Sequence, residues 1–191
     1  MTILKTKRLI LRPWREDDFG PFAKLNSDER MMRYLPSISR EESDQRALEI
    51  KKKIEKEGWG RWAVSLHGSD KFIGTIGLYY LDFNTFAAPF TPAFAIGWKI
   101  AVDHWNKGYA TEGAKAVLKY GFERLKLEEI VAFCAKDNGQ SRRVMEKIGM
   151  HCNPKDDFNH PKIPSKNNLC RQVLYRISKT EWEKQERNPA N

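Results

Sequence analysis

The sequence is poor in cysteine and histidine, and it contains no long apolar run. Its three cysteines include no Cys-x-x-Cys pair, so they form neither a disulfide framework nor a zinc-ligand spacing. The four histidines include no His-x-x-x-His pair, and we expect no metal site. No window holds the roughly 18 apolar residues of a membrane span, and charge enters the N-terminus too early for a signal peptide. We therefore expect a cytoplasmic protein with reduced thiols.

Two glycine motifs that bind nucleotides are also absent. The chain has no Gly-x-x-x-x-Gly-Lys-Ser/Thr sequence, and no Gly-x-Gly-x-x-Gly follows its first predicted strand. Nucleotide hydrolysis and dinucleotide-dependent redox chemistry therefore lose most of their support.

The charge is basic, since 34 Lys and Arg against 25 Asp and Glu give a formal net charge of +9. This excess has two interpretations: a surface that attracts anions such as nucleic acid or a phosphate-rich cofactor, or well-solvated helix faces. The densest run, Lys51 to Lys53, is interleaved with Glu49 and Glu55, which favours a solvated helix for that run.

Apolar periodicity predicts one domain over residues 1–187 and a frayed tail over 188–191. Strands are expected at 8–14, 62–66, 72–80, 94–100, 129–135 and 169–177. Helices are expected at 17–25, 39–58, 107–126 and 138–149 and after Ser178, with capping boxes at Ser39/Glu42 and Ser178/Glu181. The strands between 62 and 100 follow one another without a helix, which indicates an antiparallel meander.

The segment from Trp105 to Gly113 joins the end of a strand to an apolar-striped helix. Gly108 allows a tight turn, and Ala110 presents almost no side chain. The first N–H groups of a helix lack partners within it and lie at the positive end of its dipole, so phosphate oxygens are suited to this point. Taken alone, the segment fits a glycine turn into a packed helix equally well.

A second segment makes the pattern specific. It runs Asn138-x-x-Ser141-x-Arg143-Val-x-Glu-Lys-Ile-Gly149, after the glycine turn, an apolar helix and a buried strand. This combination resembles the GCN5-related N-acetyltransferase (GNAT) family, in the branch that includes the ribosomal-protein N-terminal acetyltransferases. The opening Thr6-Lys-Arg-Leu-Ile-Leu-Arg-Pro13 and the late Leu174-Tyr-Arg176 fit the same branch, so the resemblance covers nearly the whole chain.

The resemblance implies an α/β (α+β) fold: one domain whose mixed, mostly antiparallel sheet of six or seven strands splays open in a V, with helices on both faces. Acetyl-CoA, the implied acetyl donor, would enter this opening. The residues that would bind it are Trp98 and Ile100 through their backbone, Asn106, Lys107, Gly108, Tyr109, Ala110 and Thr111 at the pyrophosphate, Asn138 and Ser141 at the pantetheine arm and sulfur, and Arg143 towards the nucleotide. Trp98 as a core aromatic and Arg143 on a solvated helix face remain open alternatives.

The mechanism implied by the resemblance is direct transfer to an amine, with no acyl-enzyme. Many relatives protonate the leaving thiolate with a tyrosine, but Met145 stands at the matching position here. Ser141, one helical turn earlier, is the best replacement, and a hydroxyl that bonds only backbone is the alternative. The general base is not identified. Ala95 stands where relatives often carry glutamate, and Glu112 at the helix start is better explained as compensating the helix dipole. The loop around His160 could line the acceptor side, and a hydrogen-bonded turn is the equal alternative.

The acceptor is open between a protein N-terminal α-amine, as in ribosomal proteins, and a small amine such as a polyamine, amino acid or antibiotic. We expect no membrane partner, and a homodimer is compatible with the sequence. A competing hypothesis is a basic RNA- or ribosome-binding module with a degenerate CoA site. The net charge, six Trp and six Tyr favour it, but no stacking motif or basic stripe accompanies them.

Overall fold

The computed structural model describes residues 2–188. Its strands are β1 (Leu4–Lys5), β2 (Leu9–Arg12), β3 (Arg61–Leu66), β4 (Phe72–Leu81), β5 (Ala93–Ile100), β6 (Glu129–Ala135), β7 (His151–Cys152), β8 (Phe158–Asn159) and β9 (Arg171–Ser178). Its α-helices are α1 (Phe19–Ser27), α2 (Glu29–Met32), α3 (Arg40–Glu57), α4 (Tyr109–Glu123), α5 (Gly139–Lys147) and α6 (Lys179–Arg187). The residues fall into two compact units. Unit 1 is the chain up to Leu78 with Gly97–Val117, and unit 2 is Tyr79–Ile96 with the chain from Leu118.

Local capping signals set the helix boundaries as the sequence predicts. The Ser39 hydroxyl accepts the Glu42 N–H at 3.1 Å, and the Ser39 N–H donates to the Glu42 carboxylate at 2.7 Å. Gly58 ends α3 at φ +77°, a left-handed conformation that favours glycine. Ser178 and Glu181 form the same reciprocal box at the start of α6. Short-range sequence chemistry is therefore sufficient to place these ends.

In unit 1, the strands follow the order β1-β2-β3-β4-β5. The predicted meander corresponds to β3, β4 and β5, the predicted first strand corresponds to β2, and β1 is additional. β2 pairs antiparallel with β3, and β3 with β4. Helix α4 approaches this sheet closely at Gly113, where a Cβ atom would collide with the Ile76 side chain. The glycine therefore permits the packing that holds the start of α4 against the strands.

In unit 2, β5 pairs with β6 as a parallel strand through Ala95 and Val131, and β6 pairs antiparallel with β9. β7 and β8 also pair with β9. The excursion over residues 153–168 is anchored by Phe158, which packs edge-on against Phe90 with ring centroids 4.9 Å apart. The long loop is thus tied to an aromatic core.

The strand count differs from the six or seven expected, because the described residues contain nine. The three additional strands, β1, β7 and β8, have two residues each, too short to show period-two alternation in the sequence. The sequence analysis also did not predict helix α2, because its four residues are too few to show the helical period of 3.6. The sequence predicts a frayed tail over 188–191, of which residues 189–191 lie outside the described residues. Asn188 caps the end of α6, where its N–H donates to the Lys184 carbonyl. No described helix is long and apolar enough to cross a membrane.

Candidate active site

The turn before α4 exposes the backbone that the sequence assigns to phosphate. Asn106 and Gly108 both adopt left-handed conformations, with φ of +58° and +77°. The Glu112 N–H donates to the Gly108 carbonyl at 3.0 Å, so the helical bonding starts at Gly108. The N–H groups from Gly108 to Thr111 are therefore those without partners inside the helix. Since residues 106–108 are exposed, these donors fit an anionic ligand.

Arg8 lies against this turn, a contact that the sequence analysis did not predict. Its Nη1 donates to the Lys107 carbonyl at 2.8 Å, and its guanidinium stacks on the Tyr109 ring at 4.7 Å. A Cβ atom at Gly108 would lie 3.4 Å from Arg8 Nη2. Arg8, which is 99 positions from Lys107 in the sequence, thus adds a second cation at the start of α4.

Glu112 stabilises this arrangement from inside α4. Its carboxylate accepts hydrogen bonds from the Thr6 hydroxyl, from the Arg8 N–H at 2.7 Å and from Arg8 Nε at 2.6 Å. Burial alone would raise the pKa of Glu112, but the bonds from Thr6 and Arg8 hold it below its usual 4.5. This structural role agrees with the dipole-compensating interpretation and leaves the carboxylate no role as a base.

We expect Glu112 to stabilise the fold most above pH 4.5. Because its folded-state pKa is lowered, the contribution is complete above the unfolded-state pKa and is lost as pH falls through the folded value. Glu112→Gln should cost about 1–3 kcal/mol at neutral pH, and the cost should shrink below pH 4.5. Urea unfolding of both proteins at several pH values measures this, and a pH-independent difference would contradict it.

Trp98 and Ile100 direct their backbone away from β4. The Ala101 N–H donates to the Ile73 carbonyl of β4 at 2.8 Å. Because successive residues of a strand point their N–H and C=O groups to opposite edges, those of Ile100 and Trp98 face the edge of β5 away from β4. The Ile100 carbonyl accepts the Trp105 indole N–H at 2.6 Å. The groups that remain are the Ile100 N–H and the N–H and C=O of half-buried Trp98. These three groups suit hydrogen bonds to a pantetheine amide.

In unit 2, α5 starts as the sequence predicts. The Asn138 side-chain oxygen accepts the Ser141 N–H at 3.1 Å, which makes Asn138 the N-cap. Ser141 is half-buried. Within residues 2–188 its backbone N–H is the group that bonds, and its hydroxyl makes no hydrogen bond. The described contacts therefore show no backbone bond from this hydroxyl, and the role of Ser141 stays a prediction. Arg143 is exposed two residues further on.

Met145 and Ala95, the two departures from the family pattern, both lie in the core. Met145 is 1% exposed and Ala95 is fully buried. Neither carries a group that can donate or accept a proton. Their positions therefore supply packing rather than acid–base chemistry.

A polar network around Tyr175 was also missed by sequence reasoning. The Tyr175 hydroxyl donates to the Glu146 carboxylate at 2.9 Å and accepts from Arg142 Nε at 3.3 Å. Burial raises the pKa of Tyr175 to about 12, and the bond to Glu146 acts in the same direction. The phenol stays protonated at neutral pH, so the network ties β9 to α5 and offers no base.

His160 belongs to a well-ordered turn. Its N–H donates to the Cys170 carbonyl at 2.8 Å, its Nδ1 accepts the Lys162 N–H at 3.2 Å, and its ring packs edge-on against Phe86. Burial, with the nearby positive charge of Lys162, lowers the pKa of His160 below 6.5. These contacts support the hydrogen-bonded-turn interpretation over an acceptor-lining role.

The antiparallel strands of unit 1 lead through a glycine turn to the N-terminus of α4, as the resemblance to N-acetyltransferases predicts. The sequence matches the acetyltransferase (GNAT) domain family over residues 8–151. It is also 34% identical over 180 residues to the uncharacterized N-acetyltransferase YnaD of Bacillus subtilis, which covers 94% of this chain and 98% of that protein. The chain therefore belongs to the GNAT family and is an N-acetyltransferase.

Solved structures agree on the fold. A GNAT-family acetyltransferase from Bacillus anthracis superposes with a TM-score of 0.76 at 29% identity, over 94% of this chain and 99% of that one. RimL, a ribosomal L7/L12 alpha-N-protein acetyltransferase in complex with coenzyme A, gives a TM-score of 0.73 at 14% identity, over 93% and 98%. These comparisons establish a single GNAT domain with a mixed, mostly antiparallel sheet. Among the described residues, no group of three or more His, Cys, Asp or Glu side chains is arranged to hold a metal.

Proposed function

We propose that this N-acetyltransferase takes its acetyl group from acetyl-CoA and transfers it directly to a primary amine. Membership of the family implies this donor, and the observation that carries the proposal is the exposed turn at α4. There, two left-handed residues present a row of N–H donors beside the cations Arg8 and Lys107. We also propose that the protein acts in the cytoplasm, where its three free thiols stay reduced.

The phosphate-binding part of the proposal lies in unit 1. The N–H groups of Asn106, Lys107, Gly108, Tyr109, Ala110 and Thr111 would donate to the pyrophosphate. Arg8 is held by Glu112 and stacked on Tyr109, so it would add positive charge without further ordering of its side chain. Lys107 is exposed, and its Nζ donates to the Asp103 carbonyl at 3.0 Å, so it would contribute a weaker, screened charge.

The remaining contacts would hold the pantetheine arm. Backbone groups of Trp98 and Ile100 would pair with its amides, because strand backbone that faces away from its neighbour needs partners. The Asn138 amide NH2 would donate to the same arm, while its oxygen caps α5. Arg143, which is exposed, would approach the nucleotide end.

When bound, the cofactor supplies a thioester-activated acetyl group. The chain's part is then to orient an uncharged amine and to supply a proton to the departing sulfur. As the C–N bond forms and the C–S bond breaks, the amine nitrogen loses one proton and the sulfur gains one. We assign the delivery of this proton to the Ser141 hydroxyl, which would donate its own proton to the sulfur and regain one from that lost by the nitrogen. A thiol with a pKa of ~8.5 leaves readily as thiolate, so the acid is helpful rather than essential.

Binding and turnover experiments test this function. Calorimetric titration should show saturable binding of acetyl-CoA, and release of free thiol should depend on added amine. A panel of peptides with free α-amines and of small amines identifies the acceptor class. The competing hypothesis, an RNA- or ribosome-binding module with a degenerate CoA site, predicts no acetyl-CoA binding together with salt-dependent RNA binding. A homodimer stays a prediction.

Asn138→Ala should weaken CoA binding and also destabilise the start of α5 by about 1 kcal/mol. Asn138→Ser is the matched control, since it keeps a capping oxygen but lacks the NH2 donor. If the amide contacts pantetheine, both variants should bind CoA about tenfold more weakly, while only the alanine variant loses stability. Melting temperatures with and without CoA separate the effects, and equal ligand-induced stabilisation in all three proteins would leave Asn138 only its capping role.

A further inference from the structure

Tyr175 of β9 binds two residues of α5 that lie one helical turn apart. Its hydroxyl accepts a hydrogen bond from Arg142 Nε at 3.3 Å and donates one to the Glu146 carboxylate at 2.9 Å. Residues four positions apart lie on the same face of a helix, so both bonds reach one side of α5. Tyr175 is 1% exposed, which fixes the position of its ring. A buried side chain of β9 is therefore bonded to one face of α5.

Ser141 lies on the adjoining face of the same helix. Successive helix residues are turned by about 100° around the axis, so Ser141 is next to the face that Arg142 and Glu146 share. Met145 and Ile148 follow Ser141 at helical spacing and are 1% and 3% exposed, so this second face packs in the core. Within residues 2–188 the Ser141 hydroxyl makes no hydrogen bond. Its direction is therefore set by the rotation of α5 about its own axis.

Apolar packing fixes that rotation only weakly at the start of α5. The helix begins at Gly139, whereas the buried residues Met145 and Ile148 lie in its second half and just after it. A helix of nine residues is marginal by itself, so its contacts with the rest of the fold decide how it is held. Apolar contacts have no preferred direction, but a hydrogen bond weakens steeply away from its best angle. The bond from Arg142 to Tyr175 therefore supplies a directional contact where packing is thin.

Tyr175 itself is not placed to touch the reacting atoms. Its hydroxyl already accepts one hydrogen bond and donates its single proton to Glu146. Since the residue is also 1% exposed, a bound substrate has little access to it. An effect of Tyr175 on the reaction would therefore be transmitted through α5.

We propose that Tyr175 is a positioning residue for acetyl transfer, which fixes the rotation of α5 and thereby directs the Ser141 hydroxyl at the departing sulfur. The inference rests on the proposed role of Ser141 as the proton donor. A side chain that acts only through Ser141 cannot contribute more than Ser141 itself does. Loss of the phenol hydroxyl should therefore lower turnover, but by less than loss of the serine hydroxyl.

The test combines Tyr175→Phe with Ser141→Ala. Phenylalanine keeps the buried ring, and Arg142 and Glu146 can then pair with each other at i,i+4, so α5 should stay helical. Tyr175→Phe should lower kcat about 10-fold, because small misplacements of a reacting group cost at least this much, and should change CoA affinity by less than about 3-fold. In the Ser141→Ala background the same substitution should change kcat by less than about 2-fold, because residues that act as a unit are not additive.

Two control variants account for the loss of a hydroxyl and for the loss of stability. Tyr80→Phe removes the same group from a tyrosine of β4 that is 44% exposed. Ile54→Val shortens a fully buried side chain of α3 and should lower the melting temperature to an extent similar to Tyr175→Phe. Both controls should keep the parental kcat.

Three results would overturn the inference while leaving the role of Ser141 intact: a parental kcat in Tyr175→Phe, a loss of CoA affinity in place of kcat, or equal fold losses in the parent and Ser141→Ala backgrounds. A kcat loss in Ile54→Val that matches Tyr175→Phe would also overturn it, because stability alone would then explain the effect. Parental turnover by Ser141→Ala would overturn the proton assignment and this inference together. Absence of thiol release from the parent with every amine would overturn the proposed function itself, and the inference with it.

Discussion

Gly108→Asp should weaken CoA binding by at least ~100-fold, the largest effect we expect from one substitution. Gly108 is exposed at φ +77°, at the point where the helical N–H groups begin. A carboxylate there would repel phosphate and would also compete for Arg8, since its Cβ atom would lie 3.4 Å from Arg8 Nη2. Loss of two charge-assisted hydrogen bonds, each about 1.5–3 kcal/mol, accounts for the magnitude. Calorimetric titration with CoA measures it.

Two controls separate charge from backbone strain. Gly108→Asn has the same shape without the charge, and asparagine tolerates the left-handed region, so its binding should fall much less. Gly68→Asp makes the same change at φ +74° in an exposed turn with nothing within 4 Å, and it should bind CoA like the parent. Lys107→Ala should weaken binding only a few-fold, because the charge is exposed. Unchanged affinity in Gly108→Asp would show that the phosphate assignment is wrong.

Ser141→Ala should lower turnover by tens to hundreds of fold while CoA affinity changes little. General acid catalysis typically contributes ~10²–10⁴-fold, and a good leaving group places the effect at the low end. The backbone N–H of Ser141 bonds to Asn138, so an alanine keeps that cap contact. The measurement is kcat at saturating acetyl-CoA with an acceptor from the amine panel, or slow acetyl-CoA hydrolysis until one is found.

Ser141→Thr serves as the control, because it retains a hydroxyl at the same position and should keep most of the rate. Met145→Tyr would restore the family's tyrosine in principle, but Met145 is 1% exposed, and a larger side chain there would overpack the core. Turnover by Ser141→Ala equal to that of the parent would assign protonation of the thiolate to water.

Much of this fold could be predicted from the sequence, because its signals are local. Ser39 with Glu42, Ser178 with Glu181, and Asn138 each satisfy N–H groups within three residues, so composition at a helix end fixes where it starts. The buried strand Glu129–Ala135 was predicted with its observed bounds, since an uninterrupted apolar run is typical of a strand covered on both faces. The glycine turn before α4 was likewise apparent.

The parts that could not be predicted depend on residues far apart in the chain. Arg8 meets Lys107 and Glu112 across about a hundred residues, and Lys99 meets Asn26 across 73. No period or spacing marks such pairs, because they follow from how strands and helices pack. The amino-acid composition also does not show where the cations lie, because a net charge of +9 is equally compatible with lysines and arginines on solvated helix faces.

The most direct test of the central claim is a paired measurement of both products. The protein is incubated with acetyl-CoA and the amine panel, and free thiol and acetylated amine are quantified in the same reaction, with the protein's own mass recorded. Direct transfer predicts that the two products form in equal amounts for at least one amine, with no acetyl group retained on the protein. Thiol release that is independent of amine, or a stable acetylated protein, would contradict direct transfer to an amine.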